Sequence, residues 1–208
     1  MQKKLAMKKI AKKILKIMLL VTISVILILF GFYVWLNQRL DSVVDKETYS
    51  GLVKEIKASE DLPDRFYEMY GLVTEFNEKS TTNNFLFYAL LDKRKPCPCR
   101  DVSYNIGFSA TTDYRFLGVN WITIGFALDK DVSPKKCLDF YLSRFDFLHH
   151  AIGIENASQF YYQKSLEQLA DDEMLELSVM TLNPSFYSKI RRPEKLREKV
   201  EEVKLNLQ

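Results

Sequence analysis

The sequence predicts a mainly α-helical protein, in which a single membrane-crossing helix precedes one α-rich domain. Three observations carry this reading: an uncharged apolar run near the amino terminus, apolar residues at helical spacing through much of the remainder, and Ser, Asn and Pro placed where helices start and stop.

The run Ile17 to Leu36 is dominated by Ile, Leu, Val, Met and Phe. At about 20 residues it has the length needed to cross a ~30 Å hydrocarbon core. Seven lysines precede or enter it, namely Lys3, Lys4, Lys8, Lys9, Lys12, Lys13 and Lys16, whereas Arg39 stands among Asp41, Asp45 and Glu47 on the far side. Lysine-rich ends stay cytoplasmic, so the chain beyond the run is expected outside. A cleaved signal peptide would have a shorter apolar stretch, of ~7–15 residues, before a small-residue cleavage site. Here the run ends in Tyr33, Trp35 and Asn37, closer to an interfacial aromatic belt. The expected organisation is a basic cytoplasmic tail over 1–16, a transmembrane helix over 17–36 and one external domain over 41–208.

Roughly 170 residues beyond the anchor suffice for one domain with its own core. A content of 47% hydrophobic and 27% charged residues is that of a globular protein. The net charge of +3 comes from the leading lysines, which leaves the external part mildly acidic. Such a surface argues against nucleic acid as a partner, since counterion release needs a basic one.

The elements follow in order. From Asp41 to Asn77 the chain reads as helical, with Leu52, Val53 and Ile56 at helical spacing, a break at Leu62-Pro63, and Phe66, Met69, Tyr70 and Val73 on one face after it. Scattered Pro, Cys, Ser, Thr and Asn make Lys93 to Asp113 a loop by pattern. Trp121 to Leu128 is either a strand, from its β-branched residues, or a buried helix. Ser133-Pro134 is an N-cap with proline at the first helical position, and Cys137, Leu138, Tyr141, Leu142 and Phe145 then mark an apolar face. Ser165 with Gln168 forms a capping-box pattern, and Asp171, Asp172 and Glu173 load a first helical turn with acid. Asn183-Pro184 stops that helix, and Pro193 opens another with Leu196, Val200, Val203 and Leu207 on its stripe.

Cys97, Cys99 and Cys137 cannot all pair with one another. A disulfide is permitted outside the cytoplasm, and a Cys97–Cys99 bridge would close a tight ring around Pro98, although both cysteines also fit a plain structural role in a loop. A metal site would need further ligands, and the chain has only two histidines, His149 and His150, which read as loop residues. No metal site is expected.

From Leu128 to Val203 the residues become specific. Pro134-Lys-Lys-Cys-Leu-Asp-Phe-Tyr-Leu-Ser143 resembles the K-x-x-I-L-E-x-Y-L-N pattern of the peptidoglycan glycosyltransferase (transglycosylase) family. That family's R-I-Y-F-G-x-G-x-Y-G-I-E-A-A-A is similar to Arg144, Phe147 and Ala151-Ile-Gly-Ile-Glu-Asn-Ala-Ser158. Its Y-F-G-K-S and D-L-T-L-A-E resemble Tyr161-Tyr-Gln-Lys-Ser165 and Gln168-Leu-Ala-Asp-Asp-Glu173, and its ending resembles Asn183-Pro184, Tyr187-Ser188 and Pro193-Glu194. The resemblance implies a lysozyme-like α fold on the outer face of a bacterial inner membrane. It also implies a role in peptidoglycan assembly, with lipid II or a glycan strand, the bilayer and a cell-wall synthase as partners. No cofactor is implied, apart from a divalent cation if catalysis survives.

The catalytic half departs from the family. Its first glutamate, the general base, lies in E-D-x-x-F-x-x-H-x-G. Here Glu60-Asp61 precedes Phe66, Met69 and Gly71 by two residues too many, so either two residues are inserted or Leu62 stands at the base position. Counting back from Leu128-Asp129, the second glutamate falls on Trp121 and the basic pair before it on Leu117 and Gly118. Of the family's G-G-S-T-I-T-Q-Q only a faint echo remains, Gly107 to Thr112. General-base help is worth about 10²–10⁴ in rate, and stabilisation of the leaving group is often worth more. The resemblance therefore implies a catalytically degenerate domain that binds lipid II or glycan, or scaffolds a synthase. The alternative is a divergent enzyme with Glu60 as base. Arg144 and Asp139, on the helix that lines the family's cleft, are the candidate substrate contacts, since Arg suits bidentate phosphate recognition. A salt bridge is the plainer role for Asp139. Glu155 is expected in a buried, hydrogen-bonded structural role.

Overall fold

The computed structural model describes residues 2–91, 95–110 and 117–206, and divides into two units at Leu40/Asp41.

The first unit is one helix, α1 (Gln2–Gln38). Within Lys12–Gln38 an 18-residue window reaches a mean hydropathy of 2.8, and Ile17 to Leu36 alone rises about 30 Å at 1.5 Å per residue. It is apolar all round, with Leu27 63% and Ile28 69% exposed, the pattern of a candidate membrane span. Its polar side chains fold back on the helix: Thr22 donates to the Met18 carbonyl at 2.8 Å, and Asn37 to that of Tyr33 at 3.0 Å. Phe32 stacks on Trp35 at 5.6 Å, and the Arg39 guanidinium lies 4.4 Å from the Trp35 ring centroid.

The second unit holds nine helices among its described residues: α2 (Lys46–Ala58), α3 (Asp64–Thr74), α4 (Thr82–Ala89), α5 (Pro98–Ala110), α6 (Leu117–Asp131), α7 (Pro134–Leu142), α8 (Ile154–Tyr162), α9 (Asp171–Leu182) and α10 (Pro193–Leu205). No strand occurs there, only an isolated antiparallel bridge between Asp146 and Ile152. Helix starts and stops are made by local residues, those expected at Ser133, Ser165 and Asn183 among them. Asp45 caps α2 by accepting from the Thr48 N–H at 2.9 Å, and Ser133 caps α7 by accepting from Lys136 at 3.2 Å. Ser165 and Gln168 form their capping box around a 3-10 turn, and Asn183 ends α9.

At the centre lies α9, where Met174, Leu175, Leu177, Ser178, Val179 and Met180 are all buried. A helix this apolar belongs inside a domain. It packs against α3, α8 and α10, which turn Phe66 and Met69, Ala157, and Leu196 and Val200 towards the core.

Two expectations are corrected. Most of the stretch read as a loop, from Lys93 to Asp113, is the helix α5, with Pro98 in its first turn. Its polar residues have helical partners: Ser103 Oγ donates to the Arg100 and Trp121 carbonyls at 2.6 and 2.8 Å, and the Arg100 guanidinium lies 4.4 Å from the Phe85 ring centroid. The ambiguous Trp121 to Leu128 lies in α6, which packs on α5. Gly125 permits close approach to both α4 and α5, since a Cβ there would stand 2.8 Å from Thr82 Oγ1 and 3.4 Å from Arg100 Cα. Second, the cysteines pair as Cys99–Cys137, with Cα atoms 5.0 Å apart, not as Cys97–Cys99. The helix start at Pro98 turns Cys97 and Cys99 towards different neighbours. Cys97 stays a buried thiol 3.6 Å from Thr82 Oγ1, while Cys99 meets the inner face of α7.

Between α7 and α8 the chain makes a tight turn in which Leu148, His149 and His150 all take positive φ (71°, 53° and 65°). Each such non-glycine residue costs roughly 1–2 kcal/mol. The turn is closed by Phe147 N–H to the Ala151 carbonyl at 3.0 Å, Gly153 N–H to that of Phe145 at 2.8 Å, and the Tyr161 hydroxyl to that of Phe147 at 2.7 Å.

Two outcomes are expected. Replacing both Cys99 and Cys137 by Ala removes the closure of a 38-residue separation and lowers stability by about 2–4 kcal/mol, read from urea unfolding of the protein in detergent; an unchanged midpoint would contradict the tie. Exposed His150→Gly relieves one left-handed residue and raises stability by about 1 kcal/mol in the same assay.

Candidate functional site

One cleft of ≈ 440 Å³ gathers the sequence-derived candidates. Its walls are the end of α2 with Glu55 and Ala58, the segment Ser59 to Leu62, the end of α7 with Asp139, Ser143 and Arg144, and the start of α8 from Ile152 to Asn156, with Glu167 beyond. Glu60, far in sequence from Asp139 and Arg144, therefore shares one cleft with them.

The segment between α2 and α3 is held in place by α7. Asp139 is 1% exposed, and its Oδ1 accepts from the Tyr67 hydroxyl and, at 3.5 Å, from the Leu62 N–H. Its Oδ2 has no hydrogen-bond partner and lies 3.9 Å from Lys136 Nζ. Lys136 in turn donates to the Ser59 carbonyl at 2.6 Å and pairs with Asp61 at 3.1 Å. Burial pushes the Asp139 carboxyl up to about 6, against the opposing pull of Tyr67, Leu62 and Lys136. Lys136 holds Asp61 below the ordinary carboxylate range. Asp139 thus does have the structural ionic role foreseen for it, while still lining the cleft.

Arg144 leaves the end of α7 with its guanidinium 3.7 Å from the Phe140 ring centroid, 3.3 Å from a Glu55 oxygen and 3.2 Å from Ser143 Oγ. Its charge faces a carboxylate across the cleft mouth.

Glu155 departs from the expected buried role. The inner face of α8 is made by Ile154, Ala157 and Ser158, which leaves Glu155 exposed in the first turn, facing the cleft. An acidic residue is favoured there by the helix dipole. Partial burial raises its pKa, with the nearby charges of Glu167 and then Glu60 adding to the shift. α8 can begin there because Gly153 takes φ 86°, and a Cβ at that position would stand 2.5 Å from the Ser143 carbonyl oxygen. The sequence signal for this wall was a glycine directly before an acidic first turn.

Of the two positions weighed for the family's first glutamate, Glu60 lines the cleft and Leu62 does not hold an acid; Trp121, equated with the second, holds none either. Leu62 is buried in the core cluster beside Phe66. Trp121 packs edge-on against Tyr104 at 4.3 Å on α6, away from the cleft-lining residues. The echo at Gly107 to Thr112 runs partly outside the described residues, and so do the side chains equated with the basic pair, at 117 and 118. His149 stacks on Phe160 at 6.0 Å, and neither it nor His150 lines the cleft. Among the described residues no three His, Cys, Asp or Glu side chains converge as a metal chelate would need.

Comparison with known proteins agrees with this geometry. Residues 119–208 match the family model described as transglycosylase. Penicillin-binding protein 1F of Bacillus subtilis is 35% identical over 78 residues, covering 38% of this chain and 11% of that protein. The biosynthetic peptidoglycan transglycosylase of Haemophilus influenzae is 32% identical over 85 residues, covering 38% of this chain and 34% of the relative. Its counterpart in Acinetobacter baylyi is 30% identical over 59 residues, covering 28% and 26%. The chain spans about a third or less of the length of these relatives. The similarity to transglycosylases thus lies in the carboxy-terminal stretch, residues 119–208.

Proposed function

We propose that this protein takes part in peptidoglycan assembly as a membrane-anchored, non-catalytic transglycosylase-like protein. In this reading it holds lipid II or nascent glycan in the cleft between α2, α7 and α8, or scaffolds a cell-wall synthase. The observation that carries it is the contrast between a retained cleft and missing acids: Leu62 is packed in the core and Trp121 packs on Tyr104 where the family has its glutamates. Neither side chain can take up a proton from an incoming sugar hydroxyl, nor ease charge on a leaving diphosphate.

The remaining parts fit a binding role. Glu60 and Arg144, at the cleft rim, offer an acceptor and donors to sugar hydroxyls, and Asp139 shapes the wall between them. The apolar helix α1 would hold the domain close to a membrane-embedded substrate, and the lysines before it favour an inside amino terminus with the domain on the periplasmic face. A second reading, a divergent polymerase with Glu60 as base, is supported by one observation, that Glu60 and Arg144 line the same cleft.

The test is lipid II polymerisation by the full-length protein in detergent, wild type beside Glu60→Gln, with binding of lipid II measured on the same samples. Binding without glycan chains from either protein is the expected result. Chains from the wild type that vanish in Glu60→Gln would overturn the non-catalytic reading and assign the base. Neither chains nor binding would leave scaffolding as the role within cell-wall assembly.

A further inference from the structure

The segment from Ser59 to Leu62, which carries Glu60 on the cleft wall, closes over two carboxyl groups. Asp139 on α7 is enclosed, and its oxygens are unequal: Oδ1 accepts from the Tyr67 hydroxyl and the Leu62 N–H, whereas Oδ2 has no donor. Asp61, on the closing segment itself, comes within hydrogen-bonding reach of the Asp139 carboxyl. Both answer to one cation, since Lys136 Nζ stands 3.1 Å from Asp61 and 3.9 Å from Asp139 Oδ2. Lys136 also donates to the Ser59 carbonyl at 2.6 Å, so its single charge is divided among three acceptors. With Asp139 ionised, two anions meet at this seam and an enclosed oxygen goes without a donor, which is costly. A proton from solvent placed on Oδ2 breaks no existing hydrogen bond, and it turns the repulsion between the two carboxyls into a hydrogen bond from Asp139 to Asp61.

The other charges around the seam do not relieve it. On the α3 side, Asp64 pairs at 3.1 Å with Lys135, whose ammonium lies 4.1 Å from the Tyr67 ring centroid. At the cleft mouth Arg144 is turned to Glu55 of α2 at 3.3 Å. Glu60, Glu155 on α8 and Glu167 beyond it line the same cleft as further acids. Burial pushes the Asp139 carboxyl up to about 6 and the charge of Asp61 adds to that, against Tyr67, Leu62 and Lys136. When the segment lifts away and water reaches Asp139, the carboxyl returns towards its ordinary value of 3.8. Proton binding and closure are thereby linked, each favouring the other.

We propose that Asp139 and Asp61 form a proton-operated clasp, which holds the Glu60-bearing wall shut when Asp139 is protonated and lets it lift when Asp139 is ionised. The clasp rests on the reading of this cleft as the ligand site only in what it regulates, the shape offered to a ligand. Its sign follows from the raised proton affinity of the closed form. Closure is most favoured below the ordinary carboxyl range, loses that advantage as pH rises through about 6, and changes little above it.

The test is amide hydrogen exchange of the full-length protein in detergent, without ligand, corrected for the intrinsic exchange rate. The Leu62 amide is expected to be about tenfold better protected at about pH 5 than at about pH 7.5. Asp139→Asn, uncharged and still able to accept from Tyr67 and donate to Asp61, keeps the higher protection at both. Tyr67→Phe removes a donor that favours the anion, so the transition moves to higher pH. Glu155→Gln, at an exposed position whose own proton affinity is raised, leaves the transition in place. Equal protection of the wild type at both pH values overturns the clasp, and so does a pH dependence that persists in Asp139→Asn. The wild-type profile and the Tyr67→Phe shift decide the matter even if Asp139→Asn does not fold. Because no ligand enters the assay, its failure leaves the peptidoglycan reading standing, and absence of lipid II binding leaves the clasp standing.

Discussion

The short helix α7 is the piece on which the rest of the second unit depends, because consecutive positions on it are claimed by different neighbours. Cys137 is covalently tied to α5, Leu138 and Leu142 enter the core around α9, and Asp139 receives the segment that joins α2 to α3. Nine residues thus fix three surroundings at once. The Asp139 interaction is the most demanding of the three. A buried carboxylate is costly unless its lone pairs are used, and here one oxygen is served by Tyr67 and Leu62 while the other has only a distant lysine. Its raised proton affinity is the record of that incomplete compensation. The cleft wall therefore rests on a group that the fold holds at some cost, a pattern more common at working surfaces than at purely structural ones.

How much of this could be read from the chain follows from where each determinant lies. The starts of α7 and α10 and the end of α9 were legible, because Ser133 with Pro134, Pro193 and Asn183 act within a few residues of themselves. The apolar faces of α3 and α10 were legible for the same reason: a helical period is a local signal. α5 was not, since what makes its Ser103 and Arg100 compatible with a helix is Trp121 and Phe85, supplied by other elements. The pairing of Cys99 with Cys137 was hidden likewise, because nothing near Cys99 announces a partner on α7. Of the site, Glu60, Arg144 and Asp139 were foreseen as candidates and share one cleft, but the turn that rotates Glu155 outward was not. That rotation depends on Gly153 passing the Ser143 carbonyl, a contact between two backbones rather than a property of either segment.

The relation to the transglycosylase family is uneven along the chain, and the unevenness is physically coherent. The matched stretch, 119–208, supplies α7 to α10 and hence most of the core, which α3 completes with Phe66, Met69 and Tyr70, and one cleft wall. The opposite wall, Glu55 to Leu62, lies outside that stretch. A core constrains volume and patterning and tolerates slow drift, whereas a catalytic pair is either present or not. Leu62, on that opposite wall, turns into the core cluster beside Phe66.

The three cysteines give the chain a dependence on where it finishes folding. The bond between Cys99 and Cys137 forms only where thiols can be oxidised, so a copy retained in a reducing compartment keeps α5 and α7 as untied neighbours. Cys97, two residues from Cys99, is the wrong partner closest to hand during oxidation. Burial pushes its thiol up to about 12, which keeps it protonated and therefore slow to attack the finished bond. Closing that pocket around Cys97 thus acts as a latch on the disulfide: once α4, α5 and α6 have packed, the correct pairing is preserved by starving its competitor of thiolate.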